Sequence, residues 1–193
     1  LLKTQNLTGT LPPDLIRLPY LEEIDLTRNY LNGTIPTAWG SSKLRTISLL
    51  GNRLTGPIPK EIGNITTLEH LVLEFNNFTE NLPPHLGNLS RIQRLHLSSN
   101  NFIGELPATL AKLTTLTELA IQGSGLSGPI PSQISFLENL ETVDLSFNKL
   151  SGDIPETFEN LSKLTYIYFT GNSFTGPVPA WVAAEVKSKE IKS

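Results

Sequence analysis

Residues 68–91, LEHLVLEFNNFTENLPPHLGNLSR, and residues 92–115, IQRLHLSSNNFIGELPATLAKLTT, are two successive copies of one 24-residue pattern. Apolar residues hold the same offsets in both copies, followed by an Asn, an aromatic residue and a Leu-Pro pair. A fixed period of this length indicates a solenoid, in which each unit packs against its neighbours. Further copies begin at Leu21, Leu44, Leu116, Leu140 and Leu164, after a partial copy from Leu2 to Tyr20, and we number these eight units coil 1 to coil 8.

Each unit opens with alternating apolar and polar residues, which is the period of a β-strand with one buried face. In coil 4 the pattern predicts that Leu71 and Leu73 point inward and that Val72 and Glu74 point outward. A Pro near the middle of each unit prevents a long helix from starting early, so the convex side is predicted to hold short 3₁₀ or helical turns. We expect one parallel strand per coil, centred on residues 24–26, 47–49, 71–73, 95–97, 119–121, 143–145 and 167–169.

An Asn recurs where each strand should end. Its amide offers both a donor and an acceptor, so a buried column of them can satisfy backbone groups at the turn. Gln5 and Ser124 replace the Asn; we interpret Ser124 as a tolerated substitute, with a local bend or a ligand contact as the alternative. A Gly four residues after the column is expected at positive φ. The column is Asn29, Asn52, Asn76, Asn100, Asn148 and Asn172, and the glycines are Gly33, Gly56, Gly104, Gly128, Gly152 and Gly176.

Composition and spacing argue against catalysis. The chain has no Cys, which removes disulfide frameworks, thiolate metal sites and Cys nucleophiles. No Ser-His-Asp arrangement, phosphate loop or paired catalytic carboxylates follows from the spacings. A net charge of −3 is too balanced to indicate nucleic acid or an anionic membrane as partner, and no apolar stretch approaches the roughly 18 residues needed to cross a bilayer. We therefore predict a binding domain that is not an enzyme, needs no cofactor or metal, and makes no direct membrane contact.

Two patches on the predicted concave face carry aromatic rings and Arg, the side chains that often dominate interface energies. The alternative is that they are scattered solvent-facing residues, with the Phe rings lying over the turns. His70 and His96 fall on neighbouring strands, where a metal would need a third ligand such as Glu74, and where an acid-sensing pair is another option; we favour neither. The central patch is His70, Val72, Glu74, Phe75, Arg94 and His96, and the C-terminal patch is Asp144, Phe147, Tyr166 and Tyr168. The acidic residues Glu22, Glu23 and Asp25 are interpreted as a solvated face.

Asn-x-Ser/Thr sequons recur at positions that avoid the exposed residues of the predicted strands. Three share one register on the convex side and two share another just past the Asn column. We favour glycosylation, because a secreted solenoid would keep its concave sheet free of sugar; the alternative is that these tripeptides simply recur with the repeat. The sites are Asn6, Asn32, Asn64, Asn77, Asn88 and Asn160.

The combined pattern L-x-x-L-x-L-x-x-N-x-L-x-G-x-I-P-x-x-L-G-x-L, with LTGPIP at residues 54–59, resembles the plant-specific class of leucine-rich repeats. The resemblance covers residue 2 to about residue 181. It implies an α/β repeat fold: a right-handed leucine-rich-repeat solenoid of about eight 24-residue coils, with a parallel concave sheet and a short 3₁₀ or helical convex side. We assign residues 1–182 to this solenoid and residues 183–193, AAEVKSKEIKS, to a tail that is disordered or a short helix.

Three stretches resemble one receptor-like-kinase subfamily more closely: EIDLTRNYLNGTIP from Glu23, SLLGNRLTGPIPKE from Ser48 and AIQGSGLSGPIPS from Ala120. In that subfamily a malectin-like domain, a membrane helix and a kinase domain follow the repeats. The cysteine-paired caps usual for such ectodomains are absent from this sequence, so we interpret it as part of a longer protein, whose Ser/Thr kinase domain would lie elsewhere.

The resemblance implies an extracellular recognition domain of a plant receptor-like kinase, on the apoplastic side of the plasma membrane. Its expected ligand is a peptide, a cell-wall glycan or a partner ectodomain, bound through the concave face, and a co-receptor ectodomain is a further expected partner. The alternatives are a secreted inhibitor of a cell-wall-degrading enzyme, similar to polygalacturonase inhibitors, and a purely structural module.

Overall fold

In the computed structural model, which describes residues 1–185 and 190–192, the strand at the start of each coil pairs in parallel with that of the next. The predicted solenoid and its concave sheet are confirmed. The strands lie one residue before the predicted positions, although the hydrogen bonding continues beyond them, as from Leu73 N to His96 O at 2.8 Å. The strands are Glu23–Asp25, Thr46–Ser48, His70–Val72, Arg94–His96, Glu118–Ala120, Thr142–Asp144, Tyr166–Tyr168 and Glu190–Lys192.

The apolar positions of every coil meet in one continuous core from Leu11 to Trp181. In coil 4, Leu71 and Leu73 are fully buried, while Val72 and Glu74 are partly exposed, as the alternation predicts. Each core residue packs against the equivalent residues of the coils before and after it, so removing one coil would expose two apolar faces.

A second set of parallel strands, which the repeat pattern does not predict, flanks the concave sheet. Coil 5 has no assigned flank strand, but Asn101 N still donates to Phe78 O (2.8 Å) and Gly125 N to Phe102 O (2.9 Å), so backbone pairing continues through it. The flank strands are Thr8–Thr10, Tyr30–Gly33, Arg53–Gly56 and Asn77–Phe78 in one sheet and Ser127–Gly128, Lys149–Gly152 and Ser173–Phe174 in another.

Short 3₁₀ helices form the convex side, as predicted. Each one has a Pro as its N-cap residue, and this fixes the extended backbone that precedes the turn. They are Pro13–Arg17, Thr37–Ser41, Lys60–Asn64, Pro84–Asn88, Ala108–Lys112, Ser132–Phe136 and Glu156–Asn160.

The predicted Asn column is a hydrogen-bonded ladder that links each coil to the coil before it. Asn76 Nδ2 donates to Leu49 O (2.9 Å) in the previous coil and to Leu73 O (3.1 Å) in its own coil. Its Oδ1 accepts from Leu54 N at 3.0 Å. In coil 6 the buried Ser124 Oγ has no partner, so Ser124 does not reproduce the amide's bonds.

The predicted positive φ holds at five of the six glycines and is wrong at Gly176. Gly176 follows the last flank strand of the described chain, Ser173–Phe174, where no further flank strand holds the turn. Coil 4 has Glu80 at the equivalent position, with φ 68°.

Aromatic rings close the C-terminal end of the core. Phe158 lies 6.2 Å from Phe169 and 6.5 Å from Trp181 between ring centroids, and Trp181 belongs to the α-helix Ala180–Glu185. Of the predicted tail, residues 186–189 and 193 lie outside the described residues, and the boundary at residue 182 stays a prediction. None of the helices within the described residues is long and apolar enough to span a bilayer.

Candidate binding surface on the concave sheet

Strand pairing brings the predicted concave residues together. His70 stands opposite Arg94, and Val72 opposite His96. Glu74 and Phe75 follow in the turn of coil 4. In the C-terminal patch, Tyr168 stands opposite Asp144 on the neighbouring strand, and Tyr166 stands opposite Thr142. All ten predicted residues therefore lie on concave strands or just after them, while their role in binding stays a prediction.

Glu118 also belongs to the central patch, although it is not among the residues predicted from the sequence. Its carboxylate accepts from Arg94 Nε at 2.9 Å and lies 2.9 Å from His96 Nε2. On the other side, Glu74 Oε2 is 3.9 Å from His96 Nδ1. Parallel pairing of Arg94 with Glu118 could have identified it from the repeat register alone. The Arg94–Glu118 ion pair and the His96 contacts are partly exposed, so each contributes little to stability and mainly fixes side-chain positions.

A second charge network lies at the start of the concave strands. Arg45 forms a two-pronged contact with Glu69 and lies 3.7 Å from Glu22. The neighbouring carboxylate of Glu69 raises the pKa of Arg45. Both Arg45 and Arg94 are thus neutralised by carboxylates of the same protein.

His70 sits beside these networks without joining them. Its Nδ1 is buried and has no hydrogen-bond partner. Burial, and next the positive charge of Arg94, lower the pKa of His70 below its ordinary value. Within the described part of the chain, no group of three or more His, Asp and Glu residues could hold a metal ion.

The residue directly before the ladder position has a left-handed backbone in all eight coils, with φ between 53° and 72°. Coils 3, 6 and 8 place Gly there, which adopts this conformation without strain. Phe75 and Phe147 also occupy the column, although a left-handed backbone costs a residue with a Cβ about 1–2 kcal/mol. The column is Thr4, Arg28, Gly51, Phe75, Ser99, Gly123, Phe147 and Gly171.

The two rings are on the surface, with 61% of Phe75 and 56% of Phe147 exposed. A Cβ on Gly171 would stand only 2.7 Å from Cδ1 of Phe147, so this ring lies over the backbone of the next coil. Both rings are therefore outside the core, and the ring of Phe147 extends along the solenoid surface toward coil 8. Core packing therefore does not account for a Phe at either of these left-handed positions.

Asp144 and Asp25 differ in their surroundings. Asp144 accepts hydrogen bonds from the backbone and hydroxyl of Ser146, so it helps to form its own turn. The interpretation of Asp25 as part of a solvated face is wrong, because it is buried and lies 2.9 Å from Lys3 Nζ. Burial alone would raise the pKa of Asp25, but hydrogen bonds from Thr27 and Lys3 outweigh it and lower that pKa.

The asparagines of the six sequons are all exposed, and none lies on a concave strand. Two positions recur: the end of a convex 3₁₀ helix, and the flank of the solenoid. The first group is Asn64, Asn88 and Asn160, and the second is Asn6, Asn32 and Asn77. Sugar at these residues stays a prediction.

Family models agree with this geometry. A leucine-rich-repeat model matches residues 20–42, 43–65, 67–89 and 91–113, and a second one matches residues 114–174. Together they cover most of the chain and follow the coil boundaries. The chain therefore belongs to the leucine-rich-repeat family.

Its relatives of known sequence include plant receptor kinases. The chain is 57% identical over 74 residues to a probable leucine-rich repeat receptor-like serine/threonine-protein kinase of Arabidopsis thaliana; this stretch is 38% of the chain and 7% of that kinase. A 40% identical stretch of 62 residues matches the receptor kinase-like protein Xa21 of Oryza sativa subsp. japonica, and covers 31% of the chain and 6% of Xa21. The chain thus corresponds to a small part of each relative.

Among solved structures, the ectodomain of the Arabidopsis thaliana receptor kinase GASSHO1/SCHENGEN3, in complex with CASPARIAN STRIP INTEGRITY FACTOR 2, superposes with a TM-score of 0.94 at 37% identity. The match covers 98% of this chain and 23% of that one. The plant peptide hormone receptor RGFR1 in complex with RGF2 gives a TM-score of 0.91 at 31% identity, over 95% of this chain and 30% of that one.

Proposed function

We propose that this chain is the ligand-recognition part of a plant receptor-kinase ectodomain, and that it binds a peptide on its concave face from the extracellular side of the membrane. The main observation behind this proposal is the pair of exposed Phe rings on the concave rim. Both Phe residues have a left-handed backbone, a conformation that Gly adopts with less strain. Aromatic and Arg side chains in one patch are typical of interface hot spots.

The charge arrangement favours a peptide over an acidic cell-wall glycan. Arg45 and Arg94 are held by Glu69 and Glu118, at 2.9 Å in both cases. A polyanionic ligand would have to displace these carboxylates, and would meet their negative charge, before it reached either guanidinium. A peptide can instead use apolar contacts and hydrogen bonds, which need no free cation.

The likeness to solved receptor ectodomains adds support, since two of them are complexes with CASPARIAN STRIP INTEGRITY FACTOR 2 and RGF2. We also propose that the full-length protein carries a kinase domain and belongs to the subfamily with a malectin-like domain. The subfamily rests on the motifs from Glu23, Ser48 and Ala120. The sequence of the complete gene tests this: a malectin-like domain, membrane helix and kinase must follow the repeats.

The inhibitor alternative has no specific observation in its favour.

A binding screen tests the proposed function. The chain, secreted from a eukaryotic host, is presented to a fraction of apoplastic peptides and, separately, to cell-wall oligosaccharides and purified fungal polygalacturonase. We expect the wild-type chain to form a saturable complex with a peptide. The double variant Phe75→Ala/Arg94→Ala, changed on the concave face, should not form this complex. Binding of oligosaccharide or polygalacturonase alone, with no peptide retained, would contradict the proposal.

A further inference from the structure

We propose that Phe75 and Phe147 are twin anchors for one extended, uncharged peptide segment that runs along the solenoid axis from coil 4 to coil 7. The inference rests on the proposed function and deepens it, because it names the kind of peptide and the path that the peptide follows on the surface. Three observations carry it: the spacing of the two rings, the surface between them and the charges beside them.

The spacing of the rings suits an extended chain. Phe75 and Phe147 hold equivalent positions three coils apart. Neighbouring strands are about 4.8 Å apart, so the two positions are separated by about 14 Å. An extended peptide advances roughly 3.3–3.6 Å per residue, and four residues therefore cover this distance. Side chains at i and i+4 of an extended chain also point to the same face.

The surface between the rings consists of small or polar residues. Ser99 and Gly123 fill the same column in coils 5 and 6, and the nearest atom to a Cβ on Gly123 would be Ser99 Oγ at 3.9 Å. Within the described residues, neither the Ser99 hydroxyl nor the Gln122 side-chain amide has a hydrogen-bond partner. Both can therefore serve the N–H and C=O groups of a peptide backbone that passes over them.

The charges beside coils 5 and 6 of this path already have partners. Glu118 lies 2.9 Å from both Arg94 and His96. A charged side chain over coils 5 and 6 would find no free counter-charge there. The segment between the two anchors is therefore uncharged, and its two anchor side chains are large and apolar.

The experiment uses three phage-displayed libraries of twelve-residue peptides, selected on the immobilised wild-type chain. Each library fixes two large apolar residues, at spacings i,i+2, i,i+3 or i,i+4, and varies the other positions. We expect enrichment at least tenfold higher from the i,i+4 library. Equal enrichment from all three would overturn the proposed spacing while leaving a concave peptide site intact, and enrichment from none would overturn both this inference and the proposed function.

Variants of the chain then test the anchors with a selected peptide. Phe75→Asn and Phe147→Asn should each weaken binding at least tenfold, because the ring is lost. Asn tolerates a left-handed backbone, so the melting temperature should stay unchanged or rise by up to about 2–4 °C. The matched control is Arg28→Asn, in the same column of coil 2 and outside the proposed path, which should bind as wild type. Wild-type binding by the double Phe variant, or an equal loss in Arg28→Asn, would overturn the proposal.

Discussion

The amide of Asn100 contacts four backbone groups at once. Nδ2 donates to Leu73 O and Leu97 O at 3.0 Å each and to Ser98 O at 3.2 Å, and Oδ1 accepts from Phe78 N at 3.0 Å. Because these groups are buried, Asn100→Ala leaves several of them without a partner at about 1–3 kcal/mol each. We expect the free energy of unfolding in urea to fall by roughly 2–4 kcal/mol, against at most about 0.5 kcal/mol for an ordinary surface substitution.

Ser124→Ala is the matched comparison at the same ladder position. Ser124 Oγ already lacks a partner, so its removal orphans nothing further and should cost much less than Asn100→Ala. Equal losses for the two variants would show that the ladder bonds do not stabilise the fold as described.

The sequence predicts the ladder but not the left-handed column beside it. Asn in a fixed register is informative because its amide chemistry suits a buried turn. The residue before it is Thr, Arg, Gly, Phe or Ser in different coils, and several of these disfavour positive φ. The conformation comes from stacking the turns on one another, and a single unit does not encode it.

Among the elements, the convex 3₁₀ helices set how closely the coils stack. A Cβ at Gly63 would collide with the backbone carbonyl oxygen of His85 in the next coil. Gly63→Ala must therefore push two coils apart, and we expect a loss of about 1–3 kcal/mol, the range for overpacking, measured by denaturant unfolding.

Ala111 occupies the equivalent position in coil 5, and Ser135 does so in coil 6. Ala111→Ser should therefore be close to neutral in the same assay. If Gly63→Ala is as well tolerated as Ala111→Ser, close contact between these helices does not limit the stacking.

The two kinds of strand differ in how well the sequence predicts them. Concave strands carry alternating apolar residues such as Leu71 and Leu73, and this alternation identifies them. Flank strands such as Arg53–Gly56 are mostly polar, with one buried residue, Leu54. They form because each coil supplies backbone partners to the next, so no local pattern reveals them.

At the scale of the whole molecule, the exposed sequons lie on the convex side and the flank of the solenoid, and none lies on a concave strand. Chain made in a eukaryotic secretory host should carry sugar at Asn64, Asn88 and Asn160, which are exposed ends of convex helices, and none on the concave strands. Glycopeptide mapping by mass spectrometry measures this. Unmodified peptides at all three sites would count against the extracellular assignment.

The repeat period predicts the solenoid and the face on which the candidate site lies. It does not predict the ion pairs of that face, because the exposed strand positions are free to vary without disturbing the core. Glu118 illustrates this. The repeat register places it on the strand next to Arg94, but its contacts with Arg94 and His96 depend on side-chain conformations.

The most direct test of the central claim compares concave and convex substitutions against one bound peptide. Phe75→Ala should weaken binding by roughly thirtyfold, corresponding to a hot-spot loss of about 2 kcal/mol. Arg94→Ala should have a similar effect, because it leaves the carboxylate of Glu118 unpaired on the binding surface. The melting temperature should be almost unchanged in both variants. Lys60→Ala and Glu61→Ala, on the convex helix Lys60–Asn64, should bind as wild type in the same calorimetric titration. Loss of binding in the convex pair with wild-type affinity in the concave pair would contradict the account.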